Sequence, residues 1–195
     1  MKKTLHMFSG VAMAACLLLG TSAMAQPMSS TDFKTSETRI KSDYKVDKKA
    51  CDALSGNAKD VCVADAKGKE KVALAELDNG YKPTQKTQYN VSVAKAEATY
   101  DVAKEKCDDL SGNPKDVCVK EAKAALTAGK ADAKVQMKTA ATNTTAKSDN
   151  KEVRADAAAD KRAAQLKVAE EKCDALASAA KDTCLSAAKA NFGKL

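Results

Sequence analysis

Cysteines in three evenly spaced pairs are the residues of this chain whose type and spacing could do chemistry. Cys51 and Cys62, Cys107 and Cys118, and Cys173 and Cys184 are separated alike, and a seventh cysteine, Cys16, lies apart near the N-terminus. Paired thiols can close structural disulfides, exchange disulfides as redox catalysts, or hold a metal. Redox exchange uses the short Cys-X-X-Cys spacing, and a zinc site needs further ligands beside each pair. Neither pattern occurs here. The bracketed segments are also near copies of one another. Cys51-Asp-Ala-Leu-Ser-Gly-Asn-Ala-Lys-Asp-Val-Cys62 returns as Cys107-Asp-Asp-Leu-Ser-Gly-Asn-Pro-Lys-Asp-Val-Cys118, and again as Cys173-Asp-Ala-Leu-Ala-Ser-Ala-Ala-Lys-Asp-Thr-Cys184. A bracket repeated at fixed spacing predicts three local disulfides, Cys51–Cys62, Cys107–Cys118 and Cys173–Cys184.

The rest of the sequence offers little for catalysis. The chain has one histidine, His6, in its first ten residues, so the common general base and metal ligand is lost with any N-terminal leader. There is no Gly-rich phosphate loop and no GxSxG elbow. The expectation is no enzyme, no catalytic residue, no cofactor and no metal site.

The N-terminus reads as a secretory signal. Lys2 and Lys3 form the positive region, Leu5 to Leu19 the apolar region, and Ala23-Met24-Ala25 the cleavage site before Gln26. The apolar run is shorter than the roughly 20 residues of a membrane span, and no later segment approaches that length. Cleavage between Ala25 and Gln26 removes Cys16 and leaves an even cysteine count, which suits an oxidising compartment. The expected location is the periplasm, with no transmembrane segment in the mature chain. The formal charge is +7, falling to about +5 once Lys2 and Lys3 are gone. Acidic and basic residues alternate throughout. Such a surface suits a solvated helix face or an anionic envelope polymer; the scarcity of aromatic residues for base stacking argues against nucleic acid.

Those cysteines must be positioned by helices. Large apolar residues are sparse, whereas alanine and lysine, both strong helix formers, dominate. Stability then has to come from helix propensity, alanine-lined packing and the disulfides. In the second copy, a helix from about Tyr89 to Leu110 stops at Ser111-Gly112, with Gly112 suited to the left-handed residue after a last turn. Asn113 then reads as an N-cap, with Pro114 at the first helical position. A helix stop followed at once by a helix start is an αα-hairpin, and it places Cys107 and Cys118 in one layer. The first copy repeats this with Gly56 and Asn57. Ile40 and Tyr44 precede Cys51, and Tyr100 and Leu166 precede the later brackets, as packing residues. Asp52, Asp108 and Asp174 are placed to pair across each turn with Lys59, Lys115 and Lys181. The third copy lacks both glycine and asparagine. Ser178 could cap it one position early, and an unbroken helix is the alternative.

The expected fold is all-α: three disulfide-stapled hairpins in tandem, as a loosely packed bundle or an elongated array. Expected boundaries are a signal peptide over 1–25, a loose tail over 26–35, and hairpins over 36–79, 89–138 and 151–195. Linkers occupy 80–88 and 139–150.

The alanine- and lysine-rich stretches Lys120-Glu-Ala-Lys-Ala-Ala-Leu126 and Ala155 to Lys172 resemble the long helical region of TolA-type cell-envelope proteins. The bracketed hairpin followed by Cys62-Val-Ala-Asp-Ala and Ala73-Leu-Ala-Glu-Leu77 is similar to lysozyme-inhibitor modules of the LprI type. The first resemblance implies a structural or interaction role with an envelope protein or anionic envelope polymer. The second implies an inhibitor or binding module for a secreted enzyme such as lysozyme. A thin-cored helical chain also suits a periplasmic stress chaperone. Oligomeric state is left open by the sequence.

Overall fold

A computed structural model describes residues 28–140 and 147–193. The expected signal peptide, Cys16 and the expected cleavage site lie outside the described residues. Six α-helices follow in order: α1 Ser30–Ala50, α2 Gly56–Tyr81, α3 Gln85–Cys107, α4 Gly112–Ala140, α5 Lys147–Cys173 and α6 Ser178–Phe192. A short 3₁₀ turn, Cys51–Ala53, continues α1. All three expected disulfides are formed. Cα separations of 5.7, 5.6 and 5.6 Å join α1 to α2, α3 to α4 and α5 to α6.

Among the described residues, each helix packs against its chain neighbours alone. The hairpins are therefore laid side by side in a single row, and the joints between hairpins, α2 on α3 and α4 on α5, are true packing interfaces. This is the elongated array of the two expected arrangements. Because consecutive helices run antiparallel, the three disulfide-bearing turns stand at the same end of the row.

The core follows from the composition. Buried apolar residues among those described are seven alanines, the half-cystines Cys51, Cys107 and Cys173, and Leu77. Small side chains let helix axes approach closely. A Cβ on Gly68 would lie 2.8 Å from the Cβ of Ala98, and one on Gly129 would lie 2.8 Å from that of Ala96. α3 is thus gripped through glycine on both flanks, by α2 and by α4. Ile40, Tyr44, Tyr100 and Leu166 are half-buried, and Tyr100 lies beside Leu126 at the α3–α4 interface.

Several boundaries differ from the sequence reading. Residues 30–35, expected in a loose tail, are already helical. Ser29 caps α1 by accepting a hydrogen bond from Asp32 N at 3.1 Å, and Asp32 lies in the first turn, where the helix dipole favours a negative charge. The ring of Phe33 sits 4.7 Å from that of Tyr81, which fastens the start of α1 to the end of α2. The first linker shrinks to the few residues between Tyr81 and Gln85. Thr84 and Thr87 form a reciprocal capping box there, with backbone-to-hydroxyl distances of 2.9 and 3.0 Å, so α3 begins before Tyr89. Part of the second linker lies outside the described residues; α5 begins at Lys147, before the expected start at 151.

The turns are also built differently. Gly56 and Gly112 do take left-handed backbone, with φ of +55° and +59°, but each opens the second helix of its hairpin. Neither closes the first helix, because each chain makes a further turn after its cysteine. Asn57 and Asn113 are consequently second residues of their helices and not N-caps; Ser55 holds the N-cap position of α2. Pro114 is the third residue of α4 instead of the first, still within the turn where a missing N–H costs nothing. In the third copy the helix does break. Ser178 occupies the place of the glycine and adopts φ of +50°, so α6 folds back on α5 despite the lost glycine.

Candidate functional site

Each disulfide turn repeats one construction. The first cysteine is sealed in the core, at no more than 1% exposure in any copy. The chain then closes a backbone hydrogen bond from the leucine three residues later to that cysteine's carbonyl. These bonds are Leu54 N to Cys51 O (3.0 Å), Leu110 N to Cys107 O (3.0 Å) and Leu176 N to Cys173 O (2.9 Å). The expected ion pairs cross each turn: Lys59 to Asp52 at 2.9 Å, Lys115 to Asp108 at 3.0 Å and Lys181 to Asp174 at 2.9 Å. The Lys59 ammonium donates to Asp52 and holds its carboxyl below the usual carboxylate range. All these groups are well exposed, so the pairs set register more than they stabilise.

What stands out at this end of the row is apolar exposure. Leu54, Leu110 and Leu176 are 45%, 44% and 45% exposed, and the remaining exposed large apolar residue of the described chain is Val46, in the last turns of α1. The sequence signal for the leucines was their retention at one position in all three copies, overshadowed by the cysteines. The brackets are also acidic. They hold seven aspartates and three lysines, in a chain where basic residues outnumber acidic ones. The three lysines are engaged in the turn pairs. Asp60, Asp109, Asp116 and Asp182 have no ion-pair partner among the described residues.

A second set of residues joins the hairpins. Glu97 on α3 accepts from Lys130 of α4 at 2.7 Å and from Lys71 of α2 at 3.2 Å, so one carboxylate clasps three helices. The lysine hydrogen bonds, Lys130 first, hold its carboxyl below the ordinary range against a smaller opposing effect of burial. Lys95 of α3 pairs with Glu76 of α2 at 2.7 Å, and Lys161 of α5 pairs with Asp132 of α4. Counted from the cysteines, these are the same two positions in successive repeats. Arg39 holds the equivalent basic position on α1 and pairs with Asp43 of the same helix.

The row also carries open grooves. A groove of about 570 Å³ runs between α2 and α3, floored by Gly68, Val72, Ala98 and Val102, with Lys95 and Glu76 along its rim. Along its rim Lys69 pairs with Asp65 and Lys95 with Glu76, while Lys106 has no ion-pair partner among the described residues. No three His, Cys, Asp or Glu side chains among the described residues stand close enough together to hold a metal ion. No described helix is long and apolar enough to cross a membrane.

Comparison with known proteins returns no protein-family model, curated protein or solved structure that matches the chain.

Proposed function

We propose that this chain is a non-enzymatic exported scaffold that works by binding, holding three stapled hairpins in a row against a component of the cell envelope. The observation that carries this reading is the single-row packing. The inner helices α2 to α5 are covered on both flanks by their chain neighbours and α1 and α6 on one, which leaves the broad faces and the turn end of the row available to partners. Three disulfides fit an oxidising compartment, and the N-terminal signal pattern directs the chain to the periplasm in this reading. The resemblance of the alanine- and lysine-rich helices to those of TolA-type envelope proteins supports the same role. Rigid helical rows with thin cores serve as spacers or docking surfaces, in the manner of repeat proteins that bind along extended surfaces.

In vivo photocrosslinking tests the proposal. A photoreactive residue placed at the exposed turns or broad faces should capture a defined envelope protein or polymer. Recovery of no envelope component would overturn it. Inhibition of lysozyme by the purified mature chain at micromolar concentration would instead favour the binding-module reading that the LprI-type resemblance implies.

A further inference from the structure

We propose that the open flank of α1 is a docking face for an acidic, small-residue helix of a partner protein, which would extend the row by one further joint. This rests on the binding role proposed above and names the chemistry of the partner. Among the described residues α1 packs against α2 and the 3₁₀ turn that follows it, and against nothing else. Its other flank corresponds to the flank of α3 that α2 covers. Counted from the cysteines, Thr38 and Ser42 hold the places of Ala94 and Ala98. Ala94 is buried, and Ala98 meets Gly68 of α2 closely. On α1 both places are exposed. The flank therefore continues the geometry of an existing interface, with side chains small enough for a helix to approach as α2 approaches α3.

Charge selects the occupant. On α3 the same flank carries Glu97, Asp101 and Glu105, and Lys71 of α2 reaches the first two at 3.2 and 3.7 Å. α1 reverses the sign, with Lys41, Lys45 and Lys49 at the three places. Like charges at every fourth residue destabilise a lone helix, so solvation alone does not account for them. Lys41 pairs with Glu37 of its own helix, whereas Lys45 and Lys49 have no ion-pair partner among the described residues. The other charges of α1 do not offset them. Arg39 pairs with Asp43, Lys34 and Lys48 add positive charge, and Asp32 accepts from Ser29 in the first turn. Asp47 lies two turns beyond Ile40 on the side that faces α2, where Lys69 attracts it. A joint on this flank calls for carboxylates where α2 carries Lys67 and Lys71, which face Asp101 and Glu97. Neither the segment before α1 nor a second copy supplies them. Residues 1–27 contain no aspartate or glutamate. In a head-to-tail second copy, α6 would bring Lys189 to the place of Lys67, against Lys45, and Gly193 to the place of Lys71. A helix of glutamate and alanine from another protein meets both the charge and the small seat.

The oxidised mature chain would be titrated with a synthetic helical peptide of glutamate and alanine. A lysine–alanine helix, a glutamate–alanine peptide broken by prolines, and anionic phospholipid vesicles serve as comparisons. The glutamate helix alone should bind, more weakly as salt rises. Lys45→Glu combined with Lys49→Glu should weaken that binding about tenfold and let the lysine helix bind instead, which separates lost charge from misfolding. Ser42→Phe keeps every charge but fills the seat, and should also cost about tenfold. No binding of the glutamate helix, equal binding of the proline-broken peptide, preference for vesicles, an unchanged preference after charge reversal, or full affinity in Ser42→Phe would each overturn the proposal. If an envelope component still crosslinks through the broad faces, the scaffold role survives and the docking on α1 alone fails.

Discussion

The side-chain amide of Asn113 donates a 2.8 Å hydrogen bond to the backbone carbonyl of Glu171, tying the turn of the second hairpin to the last turns of α5. The contact crosses from one hairpin to the next, so the repeat unit carries its own connector. Lys120 to Glu171 at 3.2 Å and Lys172 to Glu121 at 2.7 Å close around the same joint. Asn57 holds the equivalent position in the first hairpin. Its amide nitrogen is sealed from solvent and has no hydrogen-bond partner among the described residues. In the third copy the position is Ala179.

Equivalent substitutions at these two asparagines should therefore differ in sign. Asn113→Ala removes a made hydrogen bond and should destabilise the α4–α5 joint by about 1 kcal/mol. Asn57→Ala removes an unpaired buried amide and should be neutral or stabilising by a similar amount. Hydrogen exchange resolves the difference locally: amides of α5 and α6 should exchange faster in Asn113→Ala, with α1 unchanged. Equal destabilisation by both changes would mean that Asn57 makes the same bond, to Glu105 O.

Glu97 predicts a pH response. Its folded-state pKa is depressed by Lys130 and Lys71, so the unfolded chain takes up the proton first as pH falls. The stabilisation is present above the ordinary glutamate value of about 4.3 and is lost as pH drops through the lower folded value. Its partly exposed partners keep the contribution below about 1 kcal/mol. Denaturant midpoints of wild type and Glu97→Gln should differ at pH 7 and converge near pH 3. A gap that persists undiminished at pH 3 would show that the glutamine acts through packing instead.

The disulfides matter more than their number suggests, because the core beside them is alanine. Each closes a loop shorter than the 15 residues for which the chain-entropy account, itself disputed, gives about 3 kcal/mol. The double change Cys107→Ala, Cys118→Ala should cost 2–3 kcal/mol and lower the thermal midpoint measured by circular dichroism. Non-reducing peptide mass spectrometry of the wild-type chain should show the three links and no others. Crossed or intermolecular links would contradict the hairpin pairing.

How far the sequence carries can be seen in two sets of ion pairs. Lys59, Lys115 and Lys181 sit at a constant distance from Asp52, Asp108 and Asp174 within each bracket, so the turn pairs were legible. The joint pairs Glu76–Lys95 and Asp132–Lys161 were not. They span the connections between hairpins, whose lengths differ, and the shared positions emerge when each residue is counted from its own cysteine. The N-caps were misplaced for a related reason. Gly112 and Asn113 carry the residue types of a helix end and a helix start, yet the turn places the left-handed glycine at the start and frees the asparagine to reach the next hairpin. Propensity names the residue types a turn needs; the neighbouring hairpin decides what they do.

Ser178 supplies the sharpest remaining test of the turn. Gly56 and Gly112 adopt φ of +55° and +59° without steric cost, but Ser178 adopts φ of +50° with a Cβ. Left-handed backbone costs a residue other than glycine about 1–2 kcal/mol. Glycine loses more freedom on folding, which offsets about 0.5–1 kcal/mol of the gain. Ser178→Gly should therefore stabilise the α5–α6 hairpin by up to about 1 kcal/mol, and Gly112→Ser should weaken the α3–α4 hairpin by a comparable amount. The readout is hydrogen exchange of α6 amides, since a row of repeats can open at its end without unfolding as a whole. Slower exchange in Ser178→Gly is the expected result. Faster exchange would show that the serine hydroxyl makes a turn contact worth more than the strain it carries.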